Sequence, residues 1–227
     1  MQLLFQRLRL PPLLDAPPFP DPEAASPEGL VGFTAGIAPE QVLAAYGAGI
    51  FPMADPAGLI GWWSPDPRAV LELERVHVPR RLQRTVRQGR FEVRLDSACA
   101  EVMAACADRE ETWISPELAA VYLELHRRGV VHSVETWREG RLVGGLYGVS
   151  LGGAFMAESM FHHETDASKV AVVALVERLR ARGYLLLDIQ QQTGATAIFQ
   201  PVMLRRSEYL RRLAPAVAVE RVFREAA

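Results

Sequence analysis

Two carboxylates and an amide carry the first chemical signal in this chain. Glu158 stands in a strongly apolar run, AFMAESMF, with no basic residue within three positions. A carboxylate among apolar side chains is costly to bury unless it is paired or hydrogen-bonded, so it points to a site. Asp188 and Gln190 are the second signal. They close the apolar run YLLLDIQ on one side of a strand, with Ile189 turned to the other side. An acid and an amide at i, i+2 at a strand end can face one pocket together. The plainer account is a strand emerging into solvent, where polar residues are expected.

Other groups divide between chemistry and packing. Tyr46, Phe51, Trp62, Trp63 and Trp113 gather near loops, as core aromatics or as a stacking surface for bases. Arg80, Arg81, Arg84 and Arg87 have a helical spacing that places three or four near one face. Seven arginines and only one acid, Glu92, lie between Arg75 and Arg94. That face is either solvated or a phosphate contact. His162-His163-Glu164 lacks metal-site spacing and reads as a solvated turn. Cys99 and Cys106 are seven apart on one helical face, without CxxC spacing, and read as core thiols in a reducing compartment. There is no P-loop, no GxGxxG after a strand and no GxSxG elbow.

The elements that must hold these groups follow from turns and periodicity. His132 to Lys169 reads as three β-segments split by Glu139-Gly140 and Gly152-Gly153 and running into a helix. Glycines at 144, 145, 148, 152 and 153 exceed what ordinary strands tolerate and mark bulges or close approach. Asp166 or Ser168 caps a helix to Arg182, and YLLLDIQ follows as a short buried strand. RRSEYLRRL is a terminal amphipathic helix. Upstream, Pro39 opens a short helix, EQVLAAYGAG. Ser64 to Pro67 is a turn, because two prolines forbid a regular ladder. AVLELERVHV alternates like a half-buried strand. Helices are expected over PRRLQRTVRQGR, over 97–107, and from the Ser115 cap and Pro116 to a stop at Gly129. Residues 10–30, rich in proline, read as extended.

The 227 residues fit one domain or two small ones, and nearly half are hydrophobic. A net charge of −2 argues against bulk nucleic-acid coating but not against a local basic surface. The bases are 24 arginines and the single Lys169, and asparagine is absent. The N-terminal MQLLFQRLRL is broken too often by Gln and Arg for a signal segment, and no run is long enough to span a membrane. The expectation is a cytoplasmic protein, divided near residue 70 into a proline- and glycine-rich entry, 1–70, and an α/β part, 71–227.

AYGAGIFPM, WWSPDPRAVL, ETWI, HSVETWREGRLVGGLYGV, FMAESMF, DASKVA and LLLDIQ occur in order over about residues 19–210. Together they closely resemble the leucyl/phenylalanyl-tRNA–protein transferase family. The resemblance implies an α+β chain: a small N-terminal domain, then a GNAT-like, acyltransferase-type domain with a mixed, largely antiparallel sheet. It implies transfer of Leu, Phe or Met from aminoacyl-tRNA to the N-terminal Arg or Lys of acceptor proteins, which creates an N-degron. No cofactor or metal is implied, and a monomer is expected.

Residue by residue, the resemblance implies Asp188 and Gln190, the DxQ motif, at the reaction centre. It places Glu158, with Ser159 in the same ESMF motif, near the amino group of the aminoacyl moiety. Leu146, Phe155 and Leu175 fall where the family builds its apolar pocket, and Tyr46 and Trp113 where aromatics line the 3′-adenosine site. Arg80, Arg81, Arg84 and Arg87 are expected on tRNA phosphates. The chain departs from the family after DIQ. A common His-Thr-x-Ser-x-Gly-Ala run aligns with Ala195-Thr196-Ala197-Ile198-Phe199-Gln200-Pro201. Met53 and Thr193 replace an aromatic and an asparagine, and Leu146 and Leu175 replace Met and Phe.

Two other classes remain. A CoA-dependent N-acetyltransferase needs a glycine-rich pyrophosphate loop, yet ESMFHHETDASK has no glycine and QQTG lies one strand too late. The other is a non-catalytic tRNA- or degron-binding relative that has lost the motif at 195–201.

Overall fold

A computed structural model describes residues 19–224. The first part of the proline-rich segment, including Pro11, Pro12, Pro17 and Pro18, lies outside the described residues, as does the arginine-broken N-terminus.

The described residues form two sheets. The smaller has β1 (Leu30–Thr34), β2 (Phe51–Ala54) and β3 (Ile60–Trp63) in the antiparallel order β1-β3-β2. Sequence patterns did not announce it. Its strands are only four or five residues long and almost wholly buried, so period-2 alternation is absent. Pro52 is accommodated because β2 is an edge strand. The expected helix, α1 (Pro39–Gly47), connects β1 to β2.

The larger sheet has seven strands: β4 (Arg68–Leu71), β5 (Glu92–Leu95), β6 (Val131–Arg138), β7 (Arg141–Leu151), β8 (Ala154–His162), β9 (Leu186–Gln190) and β10 (Val202–Leu204). Their order is β10-β4-β9-β8-β7-β6-β5, antiparallel except for the β8–β9 pair. The β6-β7-β8 meander matches the expected three segments. Its first turn carries Glu139 and Gly140 at positive φ, as a two-residue hairpin turn requires. The strand glycines have the physical reasons expected of them. At Gly144 an added Cβ would stand 2.6 Å from the Cβ of Ala167, at the start of the following helix. Gly148 sits at a bulge in β7, pressed by the ring of Phe155.

Five more helices flank the sheet: α2 (Arg80–Arg87), α3 (Cys99–Ala107), α4 (Pro116–Arg127), α5 (Ala167–Ala181) and α6 (Arg206–Ala218). Residues of α1, α3, α4, α6 and the small sheet share one apolar cluster. Residues of α2 and α5 fill a second with Phe223. Strands β6 to β9 send alternate side chains to each cluster, which is why their runs are apolar on both faces. Ser115 caps α4 as expected, its Oγ accepting from the Leu118 amide at 3.1 Å.

Two local expectations are corrected, and one strand had no sequence signal. The strand expected over AVLELERVHV ends at Leu71 and becomes a 3₁₀ turn at Leu73–Arg75, because β9 and β10 pair with it no further. Asp166 occupies the N-cap position of α5 at φ 71°, but its carboxylate takes the Lys169 ammonium at 3.2 Å rather than a helix amide. Strand β5 went unread because EVRL is exposed and charged, with Arg94 paired to Glu92.

Candidate active site

The site lies where the one parallel strand pair parts. Pairing of β8 with β9 runs from Ala154↔Leu186 to Met156↔Asp188 and stops there. Beyond that point β8 continues through Ala157, Glu158, Ser159 and Met160, and β9 through Ile189 and Gln190. A cavity of about 370 Å³ opens between the two stretches. Its deep wall is apolar: Leu71, Leu146, Val172, Leu175 and Leu187 are all buried. Phe51 and Met53 of β2, Trp113 on the approach to α4, exposed Arg109, and Thr193 and Thr196 of the β9–β10 connection also line it.

Glu158 and Gln190 meet across this notch. The Gln190 Nε2 donates to Glu158 Oε1 at 2.8 Å. Behind Glu158 stand buried phenols. Tyr122 donates to Oε2 at 3.4 Å, and the Tyr46 and Tyr122 hydroxyls are 2.6 Å apart. Tyr46 also hydrogen-bonds to the Glu158 carboxylate. Desolvation pushes the Glu158 carboxyl up to about 7 and the Asp188 charge adds to it, against the opposing bonds from Tyr46 and Gln190. Burial first, and then the Glu158 charge, raises the phenols of Tyr46, Tyr122 and Tyr147 well above their ordinary value, so all three are neutral.

Asp188 is not on the cavity wall. It is fully buried and clasped by Arg68, which is equally buried. Arg68 Nη2 donates to Oδ2 at 2.6 Å and Nε to Oδ1 at 3.0 Å. Tyr209 of α6 donates to Oδ2 at 2.8 Å, and the Gln190 backbone N–H donates to Oδ1 at 2.8 Å. Burial alone would lower the Arg68 pKa, but the adjoining carboxylate outweighs it and holds the guanidinium above its ordinary value. The Asp188–Gln190 backbone bond is consequential. Gln190 has φ 59°, a left-handed conformation uncommon for a residue with a side chain. The carboxylate two residues back fixes that turn.

The sequence expectation that Asp188 and Gln190 face one pocket together is therefore corrected. Only Gln190 reaches the cavity, since the left-handed turn and the Arg68 pair turn the acid inward. Leu146, Glu158, Ser159, Leu175 and Trp113 line the cavity as well. Phe155 does not. It is buried in the same apolar cluster as Leu146 and Leu175 but outside the lining, 5.3 Å ring to ring from Phe223. Tyr46 is 1% exposed and meets the site only through its hydroxyl, so it offers no stacking face. Arg80, Arg81, Arg84 and Arg87 are exposed along α2, with Leu82 buried beneath them. None of the four is in an ion pair among the described residues. His162 and His163 are exposed, and Glu164 pairs with Arg138, as suits a solvated turn.

Sequence reasoning missed Arg68, Tyr122, Tyr209 and Arg109. Arg68 was visible only as part of WWSPDPRAVL, with nothing local to reveal its partner. Arg109 looked like one charge in the acidic stretch DREE. In the fold its Nη2 donates to Ser159 Oγ at 3.2 Å and to the Met160 carbonyl at 3.4 Å, on the cavity edge. In the departing run at 195–201, Gln200, aligned with the family's glycine, has a positive φ, 54°.

A model of the leucyl/phenylalanyl-tRNA protein transferase family matches residues 70–214, and a model of that family's N-terminal domain matches residues 36–66. A leucyl/phenylalanyl-tRNA–protein transferase of Rubrobacter xylanophilus is 53% identical over 188 residues, covering 82% of this chain and 98% of the relative. One from Nitratidesulfovibrio vulgaris is 51% identical over 201 residues, 86% of each chain. A third, from Gloeobacter violaceus, is 53% identical over 189 residues, covering 83% of this chain and 98% of the relative. Among solved structures, L-PGS from Bacillus licheniformis is similar at a TM-score of 0.39 and 10% identity, over 72% of this chain and 54% of that one. The chain spans about half the length of that structure, and a likeness so low carries no argument.

Proposed function

The chain belongs to the leucyl/phenylalanyl-tRNA protein transferase family and is an aminoacyltransferase, and we propose that it moves Leu, Phe or Met from aminoacyl-tRNA to the N-terminal Arg or Lys of acceptor proteins. The observation that carries this reading is the notch itself. It combines an apolar interior that suits a Leu, Met or Phe side chain, none of them branched at Cβ, with one amide and one carboxyl at its polar edge. The product is an N-degron, and the acceptor's new peptide bond replaces the ester to the tRNA.

The aminoacyl ester is activated, so aminolysis runs downhill and the main task is positioning, which supplies about 7–11 kcal/mol in favourable cases. The aminoacyl side chain enters between Leu146, Leu175 and Leu187, with Trp113 beside the terminal adenosine. The Gln190 NH₂ is held by Glu158, which leaves its carbonyl as the acceptor that orients the attacking amine. Asp188 acts through Gln190, as a positioning residue, by fixing the left-handed turn. Selection among Leu, Met and Phe rests on the apolar wall, where one methylene is worth only about 1–3 kcal/mol. Arg80, Arg81, Arg84 and Arg87 hold tRNA phosphates without reading sequence.

The same reading takes the chain as a cytoplasmic monomer with a small domain over 1–70 and a GNAT-like domain over 71–227. The parting of a parallel pair in a largely antiparallel sheet supports it. So does the absence, among the described residues, of any helix long and apolar enough to cross a membrane. The test is direct: incubate the protein with tRNA carrying labelled Leu and an Arg-initiated peptide. Label on the peptide is the expected outcome. Binding of the tRNA without transfer would favour a non-catalytic relative instead.

A further inference from the structure

The wall of the cavity holds two ionisable side chains among the described residues, Arg109 and Glu158. The Arg109 guanidinium carries hydrogen-bond donors and no acceptor. The acid of the DxQ motif itself, Asp188, is sealed off. Both its oxygens are occupied by Arg68, Tyr209 and the Gln190 amide, and it has no exposed surface. Among the described residues no histidine or cysteine lines the cavity, and Glu158 alone joins a titratable group to the place where an amine must attack.

Resting on the transfer reaction above, we propose that Glu158 is a catalytic residue: its carboxylate takes the proton released by the attacking α-amine and returns it to the departing ribose oxygen of the tRNA. The steps balance. The amine lone pair forms the N–C bond to the ester carbonyl carbon, and one N–H proton passes to Glu158. The C–O bond to the ribose then breaks, its electron pair stays on oxygen, and the Glu158 proton moves there to give the free hydroxyl. Glu158 ends as it began, and no other reactant is needed.

The surroundings fit a carrier rather than a fixed charge. Gln190 Nε2 holds one carboxylate oxygen at 2.8 Å, so the acid and the group orienting the amine sit on one hydrogen bond. Facing Glu158 from the other elements are Tyr46 of α1, Tyr122 of α4 and Tyr147 of β7. Beyond them lie Asp188, Arg68 and Tyr209 of the buried cluster. The phenols stay neutral, and the Arg68 charge is balanced by Asp188 at contact. Burial holds the Glu158 carboxyl near 7, close to an α-amine at about 7.7–8.0, so a proton passes either way at little cost.

The test uses E158Q with two donors: Phe-tRNA and phenyllactyl-tRNA, which carries a hydroxyl in place of the aminoacyl α-amine. With an Arg-initiated peptide, kcat should fall about 100-fold or more for both donors, the scale of lost acid–base catalysis, with KM within a few-fold. A loss confined to Phe-tRNA would mean that Glu158 only holds the aminoacyl ammonium, and would overturn the proposal. So would a kcat within threefold of wild type. A second measurement needs no variant. With an acceptor ending in an aminooxy group, neutral across the range, wild-type kcat should rise to a plateau with its midpoint near 7, and a flat profile would also overturn the proposal. Failure of the wild type to transfer from any aminoacyl-tRNA would instead remove the transferase reading on which this rests.

Discussion

Arg68 and Asp188, 120 residues apart in the chain, form a bidentate ion pair with neither side chain exposed, Nη2 to Oδ2 at 2.6 Å and Nε to Oδ1 at 3.0 Å. The pair joins β4 to β9, and Tyr209 adds α6 through a 2.8 Å bond to the same carboxylate. The Arg68 guanidinium lies 4.5 Å from the centre of the Tyr209 ring and 4.8 Å from that of Phe51. Because Asp188 also holds the Gln190 amide, the register of this cluster sets where the Gln190 side chain enters the cavity.

Asp188→Ala should both destabilise the fold and stop most transfer. Removing one partner of a buried pair leaves an uncompensated charge and costs about 3–5 kcal/mol. Replacing both, Arg68→Met with Asp188→Leu, should recover much of that stability but not turnover, since the Gln190 amide still lacks its acceptor. Urea denaturation and the transfer assay separate the two effects, with aminoacyl-tRNA binding expected to stay within a few-fold. Near-wild-type turnover in the double variant would free Gln190 positioning from this pair.

Glu158 makes stability depend on pH in a definite direction. Its folded pKa, about 7, lies above the ordinary 4.5. The protonated form therefore favours the fold, and stability is lost as pH rises from about 4.5 through 7. A shift of that size corresponds to about 3 kcal/mol. Glu158→Gln, neutral at every pH, should melt like wild type near pH 4.5 and increasingly above it towards pH 8. A melting difference that does not change with pH would contradict the raised pKa.

Neutralising Arg80, Arg81, Arg84 and Arg87 together should weaken binding of all tRNA substrates alike. Each lost phosphate contact should reduce the slope of log affinity against log salt by about 0.7–0.9. The four are exposed and unpaired among the described residues, so little stability should change. Unchanged slopes would return this helix face to ordinary solvation.

Leu175→Phe should shift donor preference towards Leu. Leu175 is 1% exposed and lines the cavity beside Leu146, so an added ring takes space from the larger donors. The product ratio of Leu-tRNA and Phe-tRNA competing for one Arg-initiated peptide should move by no more than about 1–3 kcal/mol. A ratio that stays put would show that residue 175 does not discriminate between them.

Local chemistry in the sequence determined much of this molecule. Turn dipeptides at 139–140 and 152–153 set the meander, because two-residue hairpins need positive φ where glycine is easiest. Ser115 and Pro116 set the start of α4 by capping geometry alone. The isolation of Glu158 in an apolar run marked a site before any partner was known, since only a hydrogen-bonded carboxylate tolerates such a place. The small sheet was not legible, because its short strands are buried on both faces and show no period.

What only the tertiary structure decided was the direction of side chains whose partners come from far along the chain. Asp188 and Gln190 share a strand face by their spacing, yet one is sealed inside and the other lines the cavity. That division depends on Arg68 arriving from β4 and on a left-handed turn at Gln190, and neither has a signature in LLLDIQ. Tyr46 likewise has the character of a stacking aromatic but is drawn inward by Tyr122, 76 residues away. A buried charge or hydroxyl must find its complement wherever the fold supplies one, and local sequence does not record where that is.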